Sequence, residues 1–273
     1  MKRRAALILA ATLVLAAPGG TSGAAVWCAG QSATIEGTTG NDVLVGTDSD
    51  DVIYAGTGHD LIDAGKGDDI ICAGGGDDVV YAGPGTDVVY GQAGDDLVLG
   101  GPHFDTLVGD GDDVLAPGTG FGSRLNGGTG NDRFQILDGR DHRVEGRTGR
   151  DTLDFRRMTV GVYVSAVGDY FYVGATWDFN EQASIERFFL TPFDDDIDGD
   201  IGSQLIRGMG GADTLKGEEG NDRIFGDAGD DGIWGGDGDD WLDGGAGIDQ
   251  VFGQNGVDSC LNYSLQTGCD VFP

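Results

Sequence analysis

Aspartate recurs at a fixed interval through most of this chain. It stands at every ninth position at Asp42, Asp51, Asp60, Asp69, Asp78, Asp87, Asp96 and Asp105. The interval returns later at Asp195, Asp213, Asp222, Asp231, Asp240, Asp249 and Asp258, with Gln204 in the one gap. Two positions before the first series stand Gly40, Gly58, Gly67, Gly76, Gly85 and Gly94, with Ser49 and His103 the exceptions. Glycine there permits a positive φ, so that loop carbonyl oxygens can turn toward a common point. Carboxylates and carbonyls in tight glycine loops are the hard oxygen donors that a calcium ion takes, about six to eight at a time and in loose geometry.

The elements that must hold these oxygens follow from the same register. Residues 37–108 read GTTGNDVLV, GTDSDDVIY, AGTGHDLID, AGKGDDIIC, AGGGDDVVY, AGPGTDVVY, GQAGDDLVL, GGPHFDTLV, with aspartate sixth and an aliphatic residue eighth. The eighth place holds Leu44, Ile53, Ile62, Ile71, Val80, Val89, Val98 and Leu107, and after residue 190 it holds Ile197, Ile206, Leu215, Ile224, Ile233, Leu242, Val251 and Cys260. A nine-residue unit cannot bury its own apolar face, so copies must stack into a solenoid, with six residues of loop and three of strand. The middle strand residue then points inward and its neighbours outward. Between the blocks the pattern degenerates: the aspartate moves to Asp113, Ser123 stands where a carboxylate belongs, and ILDGRDHRV keeps Gly139 and Asp141 but puts Arg143 at the core place. GRTGRDTLD then gives Gly149, Asp151 and Leu153. This stretch is a poor place for metal sites, and Asp132 alone keeps the full consensus.

These units resemble the RTX, or haemolysin-type, nonapeptide GGxGxDxUx, a calcium-binding β-helix signature. The resemblance implies an all-β fold, a right-handed parallel β-roll in which successive nonapeptides take opposite sides and one rung spans eighteen residues. Calcium would lie between loops one rung apart, pairing Asp42 with Asp60, Asp51 with Asp69 and so on to Asp87 with Asp105, with backbone carbonyls completing each shell. Two repeat blocks are expected, residues 37–155 and 190–261, separated by a non-repeat β insertion at 156–189 such as relatives often carry. In the insertion, Gly168 and Asp169 signal a two-residue hairpin turn between strands at Val160–Val164 and Tyr170–Val173. Tyr163, Tyr170, Tyr172 and Trp177 are candidates for a glycan or peptide surface there. Relatives with protease, lipase or pore-forming activity hold it in a separate domain.

Lys2, Arg3 and Arg4, the apolar run from Ala5 to Ala17 and the small residues up to Ala25 form a secretory signal pattern with cleavage near Ala25, so the product is expected outside the cell. The formal net charge is −31, with 47 acids against 16 cations. Such a surface argues against nucleic acid and anionic membranes as partners. Residues 26–36 are expected to cap the open end with a strand, with Trp27 packed into the cap, and 262–273 to close the other end. Four cysteines suggest two disulfides. Coaxial rungs hold the termini roughly 40 Å apart at about 4.8 Å per rung, beyond a bridge, which leaves Cys28 with Cys72 and Cys260 with Cys269. GxSxG and HExxH are absent, and His59, His103 and His142 fall in loops of unrelated register as solvated residues. The expected role is therefore calcium-dependent structure or surface interaction, not catalysis. The alternative is a hydrolase or other ligand site on the insertion.

Overall fold

The computed structural model describes residues 12–15, 26–119, 122–137, 142–167, 170–173 and 185–269. Short strands alternate between two sheets, each nonapeptide passing the chain to the opposite side. The first sheet has thirteen strands. It starts with Thr12–Leu15 and Asp42–Thr47, passes through Thr152–Asp154, Arg187–Phe189 and Leu205–Arg207, and ends at Ser259–Leu261, with every neighbour parallel. The second sheet, of fourteen strands, runs from Ile35–Glu36 to Leu265–Thr267. Partners such as Leu44 with Ile62 and Ile71 with Val89 are eighteen residues apart. This is the all-β parallel solenoid that the nine-residue period demands.

The eighth place is the core. Leu44, Ile53, Ile62, Ile71, Val80, Val89, Val98 and Leu107 are fully buried, as are Ile197 through Val251 in the second block. Removing such a column from water is the main apolar return on stacking, about 1.5–3 kcal/mol per side chain. Two expectations fail at the degenerate repeat. The core place belongs to Val144, not Arg143: Val144 pairs with Leu125 and Arg143 with Arg124, which leaves the guanidinium on the half-buried outer face. A core place accepts an aliphatic chain at little cost, whereas an interior charge needs a partner. His142 takes the aspartate position of that repeat and is fully buried, not solvated.

The two blocks share one axis through the first sheet, where Thr152–Asp154 pairs with Arg187–Phe189 and that strand with Leu205–Arg207. The second sheet is interrupted at the same level. Tyr163–Val167 and Tyr170–Val173 form an antiparallel hairpin inside it, meeting Arg143–Glu145 antiparallel on one side and Asp196–Asp198 parallel on the other. The Gly168–Asp169 turn and Trp177 lie outside the described residues, and the side chains of Tyr170 and Tyr172 are not described either; Tyr163 is partly exposed. Arg187–Phe189, grouped with the interruption on sequence, is a regular rung.

At the N-terminal end Trp27–Cys28 and Gln31–Ser32 make a small antiparallel hairpin, while Ile35–Glu36 adds to the second sheet. Trp27 projects from it, 60% exposed, in place of the expected packing. Cys28 bonds to Cys72 with Cα atoms 5.7 Å apart, tying this hairpin to the roll, and Cys260 bonds to Cys269 at 5.8 Å. Both pairings match those expected. On the outer face of the second sheet Trp234 and Phe252 stack one rung apart, centroids 5.3 Å.

Candidate metal centre

Each sixth-place residue stands immediately before a strand or, at Asp42, opens it, on the inside of the turn that joins the two sheets. Its backbone N–H donates to Oδ1 of the sixth-place aspartate one rung further on. Along one edge the series runs Asp42 to Asp60, Asp78, Asp96, Asp113, Asp132 and Asp151, at 2.7–2.9 Å. Along the other edge it runs Asp51 to Asp69, Asp87 and Asp105, and then to the Ser123 hydroxyl. In the second block Asp195 leads to Asp213, Asp231 and Asp249, and Gln204 to Asp222, Asp240 and Asp258. All of these aspartates are buried. The pairs one rung apart are those implied by the repeat, and both edges of the solenoid carry a row of carboxylates spaced about 4.8 Å.

The second carboxylate oxygen separates these residues into classes. Oδ2 of Asp60, Asp69, Asp78, Asp87, Asp96, Asp105, Asp132, Asp213, Asp222, Asp231 and Asp240 is buried with no hydrogen-bond partner. Burial without a donor therefore pushes the carboxyls of Asp69, Asp78, Asp105, Asp132 and Asp222 up to about 7 and that of Asp213 to about 8, against the pull of the backbone N–H. Neighbouring carboxylates add to the rise, Asp195 and Asp231 in the case of Asp213. A buried acceptor left unmet costs on the order of 1–3 kcal/mol, more when charged.

Three aspartates differ. The N–H of Thr38 donates to Asp42 Oδ2 at 2.6 Å, that of Thr47 to Asp51 Oδ2 at 2.8 Å and that of Thr191 to Asp195 Oδ2 at 2.8 Å. The hydroxyls of Thr47 and Thr191 donate as well, each at 2.8 Å. Thr38, Thr47 and Thr191 occupy the second place of their repeats, where the unmet aspartates have a backbone with positive φ instead. Gly74 has φ 114°, and even Gln92, Met209 and Glu218 adopt 72° there. The positive φ turns the second-place N–H away from the carboxylate, and a threonine with ordinary φ turns it back.

The unmet oxygens fit a hard cation. At Gly217, Gly226 and Gly235 the point where a Cβ would stand is hemmed by Oδ2 of the same repeat's aspartate and by a carbonyl oxygen one rung on, that of Gly235, Gly244 and Gly253 respectively. A carboxylate oxygen and a backbone carbonyl thus converge where no side chain is permitted. Among the described residues no three His, Cys, Asp or Glu side chains gather around one point. A bound ion must then draw much of its shell from the backbone, as calcium does and as soft-ligand metals do not.

Sequence reading missed two members of these rows, Glu186 and His142, and set two others, Asp113 and Asp151, in a stretch taken as poor for metal. Asp113 and Asp151 stand in the same ladder with the same unmet Oδ2 as their consensus neighbours, although their loops differ in length. Glu186 takes the sixth place before Arg187–Phe189 and accepts the Asp151 N–H through Oε2 at 2.7 Å. The signal for it was an acid two residues before a buried-type apolar residue, as in the consensus repeats, here Glu186 before Phe188. His142 takes the sixth place of its repeat, and no carboxylate marks it. Asp141 lies outside the described residues. At Gln204 an amide replaces the carboxylate, its Nε2 donating to Asp200 Oδ1 at 2.5 Å.

Comparison with known families matches the profile of the RTX calcium-binding nonapeptide repeat in four copies, at residues 36–71, 73–107, 198–233 and 234–261. No curated protein matches the chain. The matched copies leave out residues 108–197, where the ladder nonetheless continues from Asp113 to Glu186. By its repeats, its two-sheet solenoid and its rows of sixth-place aspartates, the chain belongs to the RTX calcium-binding nonapeptide-repeat family.

Proposed function

We propose that this protein is an exported calcium-binding β-roll that takes its stable form on meeting extracellular calcium and serves as a structural or surface-interaction module. The observation that carries this reading is the rows of buried carboxylate oxygens without a donor. In each open turn the aspartate and the backbone carbonyls facing it would hold the ion, whose positive charge would offset the buried carboxylates. Asp60, Asp69, Asp78, Asp87, Asp96, Asp105, Asp132, Asp213, Asp222, Asp231 and Asp240 fall in this class by their unmet Oδ2, and Asp113 and Asp151 join them. Asp249 and Asp258 share the ladder position. Asp51 and Asp195, capped by threonine and with both oxygens met, are turns that need no ion, whereas Asp42, although Thr38 caps its Oδ2, keeps a buried Oδ1 without a donor and stays with the open class. Export is supported by the N-terminal signal pattern and by two disulfides, which persist in oxidising compartments. In that reading, cleavage near Ala25 also removes the strand Thr12–Leu15 and leaves Asp42–Thr47 as the end of its sheet.

Calorimetric titration of metal-free protein with calcium, read beside far-UV circular dichroism, tests the proposal. The expected result is binding of several ions with a gain of β-sheet signal. A complete β spectrum in chelator with an unchanged thermal midpoint on adding calcium would overturn it.

A further inference from the structure

After Arg4, every arginine of this acidic chain lies between Arg124 and Arg223, and only Lys66 and Lys216 add to the positive charge. The register of the first sheet gathers four of these arginines around one groove of about 730 Å³, lined by Arg150, Arg187, Arg207 and Arg223 together with Phe189 and Phe225. Seventh-place residues align there as Arg187, Leu205, Arg223, and ninth-place residues as Phe189, Arg207, Phe225. Alternate residues of a strand face one side, so both columns share the outer face while Phe188, Ile206 and Ile224 between them fill the core. Leu205 is the short side chain between two long cations.

The arginines are not equivalent. Arg207 is committed to Asp227, with Nε 3.0 Å and Nη2 2.5 Å from its oxygens. Arg223 lies over the Trp241 ring, 5.5 Å from its centroid, and neither Arg223 nor Arg187 forms an ion pair among the described residues. A guanidinium laid on an aromatic face keeps its N–H edge free to fork onto an oxyanion.

The geometry points to this groove as a binding site for an acidic polysaccharide, one bearing a carboxylate or sulfate in each disaccharide. Arg187 and Arg223 are two rungs apart, as are Phe189 and Phe225, so cation and aromatic recur together at about 9.6 Å, twice the strand spacing. An extended peptide presents like side chains on one face about every 6.8 Å and falls out of step. A sugar chain offers the longer period, an apolar C–H face for the aromatic rings and hydroxyls for Ser203 and Asn221, which also line the groove. Nucleic acid, with its denser charge, meets repulsion from the acidic surface around the patch. The site goes beyond the calcium reading: Glu186 and Gln204 of the ladder rows also line the groove, but the contacts argued for the sugar come from arginines and aromatic rings outside those rows.

The test uses the full chain in calcium at physiological salt, titrated by calorimetry with hexasaccharides of heparin and of hyaluronan, with neutral maltohexaose and with polyglutamate. Binding of at least one acidic hexasaccharide is expected, with none of maltohexaose and weaker binding of polyglutamate. Arg187→Ala and Arg223→Ala should each weaken it about tenfold, while Arg124→Ala, outside the groove, leaves it unchanged. The circular dichroism and thermal midpoint of each variant in calcium report whether the roll is intact, so loss of the calcium-dependent fold is distinguished from loss of the ligand. Failure of both acidic sugars to bind, unchanged affinity in the Arg187→Ala/Arg223→Ala variant, or equal binding of polyglutamate would each overturn the proposal.

Discussion

A carboxylate buried with one oxygen satisfied and the other bare is held in a place where it cannot rest as an anion, and the substitution that exposes this is to asparagine. Asp222→Asn keeps an oxygen for the Gln204 N–H, 2.7 Å away, and removes the charge. In chelator at pH 8 this variant should therefore melt no lower than the parent, and higher if the charge dominates, while losing part of the stabilisation that calcium confers. Asp195→Asn should do the reverse. Its amide must face either the Thr191 N–H or the N–H of Val162, which donates to Oδ1 at 2.7 Å, so a donor is left opposing a donor at a cost of about 1–3 kcal/mol. Calcium stoichiometry should stay as in the parent. Thermal melts and calorimetric stoichiometry of both variants check this, and identical behaviour of the two would show that threonine capping has no bearing on which turns take an ion. Nothing at the sixth place distinguishes Asp195 from Asp222 in the sequence. The distinction sits four residues earlier, where Thr191 or Glu218 decides the sign of φ, and a repeat pattern scored on its aspartates is blind to it.

Strands of three residues gain little alone, and the roll depends on each sheet passing without a gap from rung to rung. The second sheet is interrupted by the antiparallel hairpin, so the first sheet alone carries an unbroken parallel ladder from one block to the other. Phe188 lies at that joint, fully buried, with Phe134, Phe155 and Leu153 also in the core. Phe188→Ala should cost about 3–5 kcal/mol and weaken the joint more than the blocks. In calcium, its melt should resolve into two transitions, and limited proteolysis should cut between residues 156 and 190 to leave two protected fragments. One cooperative transition lowered as a whole would instead mean that the blocks fold as a single unit. The strands, the inward column and the alternation between sheets were legible because period and aliphatic column agree through the consensus repeats on either side of the degenerate stretch. The joint was not. Arg187–Phe189 carries no glycine loop before it, and an interrupted period cannot tell whether the interruption enters one sheet or both.

For the whole molecule the carboxylate rows make stability depend on pH in opposite senses with and without calcium. In the metal-free fold the open aspartates are raised from 3.8, Asp87 to about 6, Asp69 to about 7 and Asp113 and Asp213 to about 8, by burial first and by neighbouring carboxylates next. The folded state then binds more protons than the unfolded chain between about pH 4 and pH 8, and stability falls as pH rises through that window. Calcium needs the ionised form, so its contribution grows as pH rises through the same window. Metal-free protein should thus melt higher at pH 5 than at pH 8, and the midpoint gained on adding about 1 mM calcium should be larger at pH 8. The net charge of −31 pushes the metal-free trend the same way by repulsion between surface acids. Salt separates the two, since sodium chloride at about 0.15 M screens exposed charges but acts weakly on buried ones. If the buried rows control stability, that salt recovers only a small part of the midpoint lost between pH 5 and pH 8, while calcium at far lower ionic strength recovers most of it. Recovery by sodium equal to that by calcium would assign the whole effect to the surface and leave the buried aspartates with no part in it.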